Sequence, residues 1–228
     1  MIAISNSNQL VLQFSTSAPA SFKPFSEGWK NRYSKAIRIL GHTYFSHCDF
    51  RVSMDKIGGW LEEDPRELHA KYGNYGLLGA SDNPDAPIIA GNSRGVAIRT
   101  SEYQSFGIRR IMILQTPKAD EILEWTISQI GKPFDSAALS PKVFLSDPFV
   151  GDVEARDWRD PHQWFCMELI ICAFENGNYW GPGVKVPIKK NRVTPADGTM
   201  VFMMDPNLLN RTTWLDPIKD VRMGRHEI

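Results

Sequence analysis

The segment from Phe165 to Phe174 constrains the fold most, because apolar side chains dominate it. They recur at helical spacing and form one broad stripe that needs a core partner. The stripe contains Phe165, Leu169, Ile170, Ala173 and Phe174. The preceding residues match a helix N-terminus, with Asp160 at the N-cap, Pro161 at N1 and Gln163 at N3. We therefore predict an amphipathic helix that starts at Pro161 and carries Cys166 in its opening turns.

The rest of the chain alternates between strand-like and helix-like patterns, which predicts an α+β fold. Strands are expected at 9–15, 43–54, 75–81, 94–101 and 105–117, and helices at 29–40, after Asp64-Pro65, and at 118–131. Residues 82–93 and 132–159 are expected to be loops. The length of 228 residues favours one domain over 1–228. Its core is expected at about residues 40–205, with a peripheral N-terminal strand and loop and a peripheral tail beyond Asn207.

Composition excludes several functional classes. The 26 basic and 26 acidic residues give a net charge of zero, which argues against broad binding to nucleic acid or to an anionic membrane. No window approaches the ~20 apolar residues of a membrane span. The N-terminus lacks the basic and apolar regions of a secretory signal, so we expect synthesis in the cytoplasm. The three cysteines Cys48, Cys166 and Cys172 form no CxxC pair, which favours reduced thiols.

Cys166 is the first candidate for chemistry. A thiol near the start of a helix lies where the helix dipole favours the thiolate, the nucleophilic form. Cysteine is also among the residue types most often buried, so a packed core thiol is the alternative interpretation.

His47 is the second candidate. Side chains alternate along a strand, so His47, Asp49 and Arg51 share one face. Asp49 could orient and polarise the imidazole of a general base. The alternative is a partly exposed polar strand face. His162 is a further candidate base because it precedes Cys166 by four positions.

Metal and cofactor chemistry has little support in the sequence. A metal site from His47, Asp49, His162 and Cys166 lacks the short ligand spacing of structural zinc modules. The chain contains no GxxxxGK[ST], GxGxxG or HExxH motif. We therefore expect no metal and no cofactor.

Several segments, in this order, resemble a known family. They are YFSHCDFRV, YGLLGAS, RGVAIR, IGKPFD, WFCMELIICAF and NRVTPAD. Between Tyr44 and Asp197 the chain is similar to the permuted papain-like cysteine hydrolases of the NlpC superfamily, which include YiiX-type and lecithin-retinol-acyltransferase-like members. Small phage and bacterial members look closest, with a histidine strand of the type S-H-C-E-L and a cysteine helix of the type W-F-C-S-E. The resemblance implies an antiparallel sheet packed against a cysteine-bearing helix.

The resemblance also implies a catalytic set. Cys166 would be the nucleophile and His47 its general base, although 119 positions (166 − 47) separate them. Asp49 would orient the histidine. Relatives often take that residue from the next strand, where Ser81 is a weaker alternative and Gly79 cannot serve. Backbone N–H groups near Cys166 would supply the oxyanion donors.

Three further residues belong to the motifs. Met167 departs from the serine that many relatives carry after the cysteine. Glu168 matches the family glutamate, with ion pairing or loop capping expected rather than catalysis. Asp135 reads as a turn residue beside the site.

The implied function is hydrolysis of an amide, as by a peptidase or amidase acting on cell-wall peptide, through an acyl-enzyme. The partner would be a peptide or amide substrate. The alternative is a non-catalytic structural or interaction protein, such as a phage particle component that contacts other particle proteins. Aromatic residues in the loops would suit buried contacts in an assembly. They include Trp158, Trp164, Tyr179 and Trp180.

Overall fold

A computed structural model describes residues 4–16, 45–83, 86–101, 103, 108–136, 162–188, 190 and 193–215. The strands are β1 (Gln9–Ser15), β2 (His47–Ser53), β3 (Tyr75–Ser81), β4 (Ile88–Gly91), β5 (Gly95–Thr100), β6 (Ile108–Gln115) and β7 (Leu208–Leu215). The helices are α1 (Met54–Leu61), α2 (Pro65–Tyr72), α3 (Ala119–Ile127), α4 (Cys166–Asn176) and α5 (Pro195–Met203). The chain is therefore α+β, as predicted.

All seven of these strands belong to one antiparallel sheet, in the order β4-β5-β3-β2-β1-β6-β7. The expectation of a peripheral N-terminal strand is wrong, because β1 lies inside the sheet and pairs with both β2 and β6. Of the tail, expected to be peripheral, residues 208–215 form β7, which pairs with β6 at the edge of the sheet, while residues 216–228 lie outside the described residues. An edge strand pairs through its backbone, so the polar sequence LLNRTTWL is compatible with that place.

The helix α4 packs on one face of the sheet. Cys48, Phe50 and Val52 alternate along β2 and join the same buried cluster as Cys166 and Phe174. The rings of Phe50 and Phe174 stack with centroids 6.1 Å apart. Burying such a side chain contributes about 1.5–3 kcal/mol. This packing holds α4 against β2.

The start of α4 corrects the prediction from the sequence. The helix begins at Cys166, with Phe165 as its N-cap, and not at Pro161. The backbone before it is committed elsewhere: Trp164 N–H donates to the Pro133 carbonyl at 3.1 Å, and its own carbonyl accepts from Asp135 N–H at 3.1 Å. These bonds form a short bridge that holds residues 162–165 out of the helix. Asp160 and Pro161 lie outside the described residues.

Other local predictions differ in outcome. The predicted helix start at Asp64-Pro65 is confirmed, because the Asp64 carboxylate accepts from Arg66 N–H at 2.8 Å and Pro65 is the first helical residue. Residues 82–93, expected to be a loop, contain β4. The helix predicted at 29–40 and most of the loop predicted at 132–159 fall outside the described residues. None of the helices in the described ranges is long and apolar enough to cross a membrane.

Candidate active site

Cys166 is the first residue of α4. The N–H groups of Cys166 and Met167, at the start of the helix, have no partner within the helix and lie next to this thiol. The preceding Phe165 N–H donates to Oε2 of Glu168 at 3.4 Å. Glu168 therefore closes the helix start, in agreement with its expected capping role. The thiol sits at the positive end of the helix dipole.

His47 is the first residue of β2. Its Nε2 atom lies 2.9 Å from Oδ1 of Asp49. Cys166 lies close enough to the same imidazole to be one of the groups that raise the pKa of His47. His47 thus interacts with both Asp49 and Cys166, and a thiol beside a histidine that a carboxylate orients is the arrangement that activates a cysteine nucleophile.

The position of Asp49 depends on a glycine in the neighbouring strand. A Cβ at Gly79 of β3 would overlap Oδ1 of Asp49 and would also press on the Cys48 carbonyl. Sequence reasoning dismissed Gly79 because it cannot orient a histidine. Gly79 instead leaves the space that the Asp49 carboxylate occupies.

Ser81 contributes through a residue that sequence reasoning missed. The Ser81 hydroxyl hydrogen-bonds the Tyr103 hydroxyl. The Tyr103 ring meets His47 edge-on, with centroids 5.6 Å apart and planes at 85°. The guanidinium carbon of Arg99 lies 5.2 Å from the centroid of the Tyr103 ring. Tyr103 belongs to no motif and follows β5 in the sequence, so only the fold reveals its contact.

The surroundings of His47 change its protonation. Burial alone lowers the pKa of this imidazole, but the charge of Asp49, the nearby Tyr103 and the hydrogen bonds with Asp49 and Cys166 raise it. The outcome is a pKa of His47 well above its usual value near 6.5. The raised pKa favours the imidazolium form of His47, whose charge stabilises a neighbouring thiolate.

Cys48 differs from Cys166 although it lies nearby. Burial raises the pKa of the Cys48 thiol well above its usual value, and the negative charges of Asp49 and Cys166 raise it further. Cys48 therefore remains a protonated, packed thiol. Cys172 is buried on the same helix as Cys166, and its carbonyl accepts from the Asn176 side chain at 2.8 Å.

The catalytic candidates are enclosed. Cys166 is 1% exposed, His47 is 5% exposed and Asp49 is fully buried. Phe165 is buried beside the thiol, and its ring packs edge-on against Phe134 with centroids 6.0 Å apart. The Cys166 sulfur is therefore shielded from solvent in this structure.

The remaining sequence candidates have other places. His162 is exposed, whereas His47 is the histidine that contacts the thiol. Met167 is buried and packs against Gly198 of α5, where a Cβ would overlap its sulfur. The departure from serine therefore serves packing between α4 and α5. Asp135 is buried, and its backbone joins the bridge to Trp164.

Across the described ranges, no group of three or more His, Cys, Asp or Glu side chains is arranged to hold a metal ion. Comparisons of the chain with protein-family models, with curated proteins and with solved structures found no match. The interpretation of the site therefore starts from its geometry.

Proposed function

We propose that this chain is a cysteine hydrolase that cleaves an amide through an acyl-enzyme. Cys166 is the nucleophile, His47 the general base and acid, and Asp49 the group that orients His47. The observation that carries the proposal is the continuous chain from the Cys166 thiol through the His47 imidazole to the Asp49 carboxylate. Its first link joins Cys166, at the start of a helix, to His47, which lies 119 positions (166 − 47) earlier in the sequence.

The proposed reaction gives each of these groups a role. The Cys166 thiolate attacks the carbonyl carbon, and the first-turn N–H groups of α4 stabilise the developing oxyanion. His47 then gives its proton to the leaving amine as the C–N bond breaks, which leaves a thioester on Cys166. A water molecule, deprotonated by His47, attacks the thioester carbonyl. The acid product leaves and the thiol is restored.

The permuted papain-like architecture is part of the same proposal. Its support is the chain order, in which the histidine strand precedes the cysteine helix, and the antiparallel sheet packed against that helix. The resemblance of the motifs supplies the substrate class. A peptide bond or amide of cell-wall peptide is the substrate that we propose.

Thiol labelling tests the proposal without knowledge of the substrate. Native protein is treated with iodoacetamide between pH 5 and 9, and the modified cysteine is located by peptide mass spectrometry. We expect Cys166 to react first and His47→Ala to slow it by about tenfold or more, because general-base and ion-pair assistance are lost. Cys172→Ala is the matched control, with unchanged labelling of Cys166. Equal rates at all three cysteines would contradict the proposal.

The burial of the Cys166 thiol favours a second candidate function, that of a non-catalytic structural or interaction protein. The thiol is 1% exposed, while α5 and the residue that follows it present three methionines to solvent. They are Met200, Met203 and Met204, and such exposed apolar side chains suit contacts with other proteins. Labelling of Cys166 no faster than that of Cys172 in the folded protein, together with no hydrolysis of cell-wall peptides, favours this candidate.

A further inference from the structure

The Asp49 carboxylate has one engaged oxygen and one free oxygen. Oδ1 pairs with His47, but Oδ2 is buried and has no hydrogen-bond partner among the side chains and backbone that the structure describes. Asp49 is itself fully buried. A buried carboxylate oxygen without a donor is costly, because the charge has lost water and gained nothing in its place. A group that donates a hydrogen bond to Oδ2 would therefore stabilise the charged Asp49 carboxylate and, through it, the contact with His47.

Gln13 stands directly opposite Asp49 in the sheet. The register of β1 and β2 pairs the two residues, so their side chains leave the same face at neighbouring positions. Gln13 is also fully buried. Side chains that oppose each other in this way have Cβ atoms about 4.5–5.5 Å apart.

The orientation of the Gln13 amide is fixed by Arg51. The Arg51 Nε–H group donates to Oε1 of Gln13 at 2.8 Å. A guanidinium can only donate, so the amide oxygen must face Arg51 and the NH₂ group must be the other end. That nitrogen, Nε2, finds no acceptor within the described part of the chain. A buried free donor on Gln13 thus stands opposite a buried free acceptor on Asp49.

We infer that Gln13 is a positioning residue for the proposed hydrolase, whose amide NH₂ serves Oδ2 of Asp49 through one bridging water molecule. The inference rests on the proposed function for its catalytic meaning. Two hydrogen bonds of about 2.8–3.0 Å each let one water span a pair that does not bond directly. The resulting chain runs from Arg51 through Gln13, Asp49 and His47 to Cys166.

The chemical effect of this contact is to keep the Asp49 carboxylate ionised and oriented toward His47. A hydrogen bond donated to a carboxylate favours its ionised form, and the ionised form is the one that attracts the His47 imidazolium. The other groups that act on His47 are Tyr103 and Cys166.

A double-mutant cycle on the protonation of His47 tests this role. The proteins are wild type, Gln13→Met, Asp49→Asn and the double variant, each with ¹⁵N-labelled histidine. The pH midpoint of His47 is followed by NMR and assigned by comparison with His47→Ala. We expect Gln13→Met to lower the midpoint by about one pH unit, the size of one hydrogen bond to a charged group. In the Asp49→Asn background the same change should have no further effect.

Gln9→Met is the matched control, since Gln9 lies on the same face of β1 and hydrogen-bonds Gln115 instead. It should leave the midpoint unchanged. Gln13→Leu, which also removes the donor, replaces Gln13→Met if the latter does not fold. An unchanged midpoint in the Gln13 variant, or an equal fall in both backgrounds, would overturn the inference.

The titration of His47 is measured without enzyme turnover, so its result does not depend on whether the proposed function is correct. If the cycle shows coupling while Cys166 reacts no faster than Cys172, Gln13 positions Asp49 and the hydrolase proposal is wrong. If Cys166 reacts first and depends on His47 while the cycle is additive, the hydrolase stands and the role of Gln13 is wrong.

Discussion

The His47 imidazole and the Asp49 carboxylate are joined at 2.9 Å although they belong to the same strand and are only two residues apart. Strand geometry alone brings such side chains to one face, so the orienting pair needs no neighbouring strand. What the tertiary structure adds is the thiol at the start of α4 and the space at Gly79. The contact between His47 and Asp49 therefore follows from the sequence of one strand. Its proposed role beside the Cys166 thiol depends on the tertiary structure.

The ion pair predicts a pH-dependent contribution to stability. The pKa of His47 is raised in the folded chain above its unfolded value of about 6.5. The stabilisation is therefore fully present below about pH 6.5 and is lost as the pH rises through the folded pKa. We expect the difference in free energy of unfolding between wild type and Asp49→Asn to be larger at pH 6 than at pH 9 in urea denaturation.

The exposed pair of Asp55 and His69, with 3.3 Å between Oδ1 and Nε2, provides the control for this measurement. Asp55→Asn should show little dependence on pH, because water screens an exposed pair. A difference for Asp49→Asn that is constant or grows between pH 6 and 9 would refute the assignment of a raised His47 pKa.

Gly79 predicts a large effect for a small substitution. Gly79→Ala places a methyl group on Oδ1 of Asp49, so we expect a loss of about 1–3 kcal/mol in the free energy of unfolding. Slower labelling of Cys166 should accompany it, because the carboxylate is displaced from His47. Both are measured by urea denaturation and by iodoacetamide labelling.

Gly59 in α1 is the matched control, since a Cβ there meets nothing within 4 Å. Gly59→Ala should stabilise the protein by about 0.5–1 kcal/mol, as alanine does in a helix. If Gly79→Ala and Gly59→Ala have the same stability and the same rate of Cys166 labelling, then Gly79 is not needed to leave room for the Asp49 carboxylate.

The contact of Ser81 with Tyr103 predicts coupled effects. Tyr103→Phe and Ser81→Ala should each reduce the free energy of unfolding by about 1–3 kcal/mol, because each leaves a buried hydroxyl without its partner. The double variant should lose less than the sum of the two, measured by thermal or urea unfolding. Tyr72→Phe, at the half-buried end of α2, is the control. Strict additivity would show that the hydroxyls are not coupled.

Local patterns predicted much of the fold. The strands 9–15 and 75–81 coincide with β1 and β3, and the Asp64-Pro65 start of α2 is found where expected. These features depend on alternation and on capping chemistry within a few residues. The shared face of His47 and Asp49 follows from the same local rule.

Long-range contacts explain what the sequence could not predict. The start of α4 was misplaced because Trp164 pairs with the backbone of residues 133–135, more than 25 positions away. The strand β7 was missed because its backbone, rather than its polar side chains, places it beside β6. Tyr103 was missed because its contacts with His47 and Ser81 depend on how β5 lies beside β3.

The position of β1 between β2 and β6 has a consequence for the synthesis of the protein. The ribosome makes β1 first, but one of its two neighbours begins only at Ile108. The helix that carries the thiol begins later still, at Cys166. The nascent chain must therefore shield an incomplete sheet through most of translation, when unpaired strands are prone to aggregate. His47 and Asp49 leave the ribosome together long before the cysteine that they would activate.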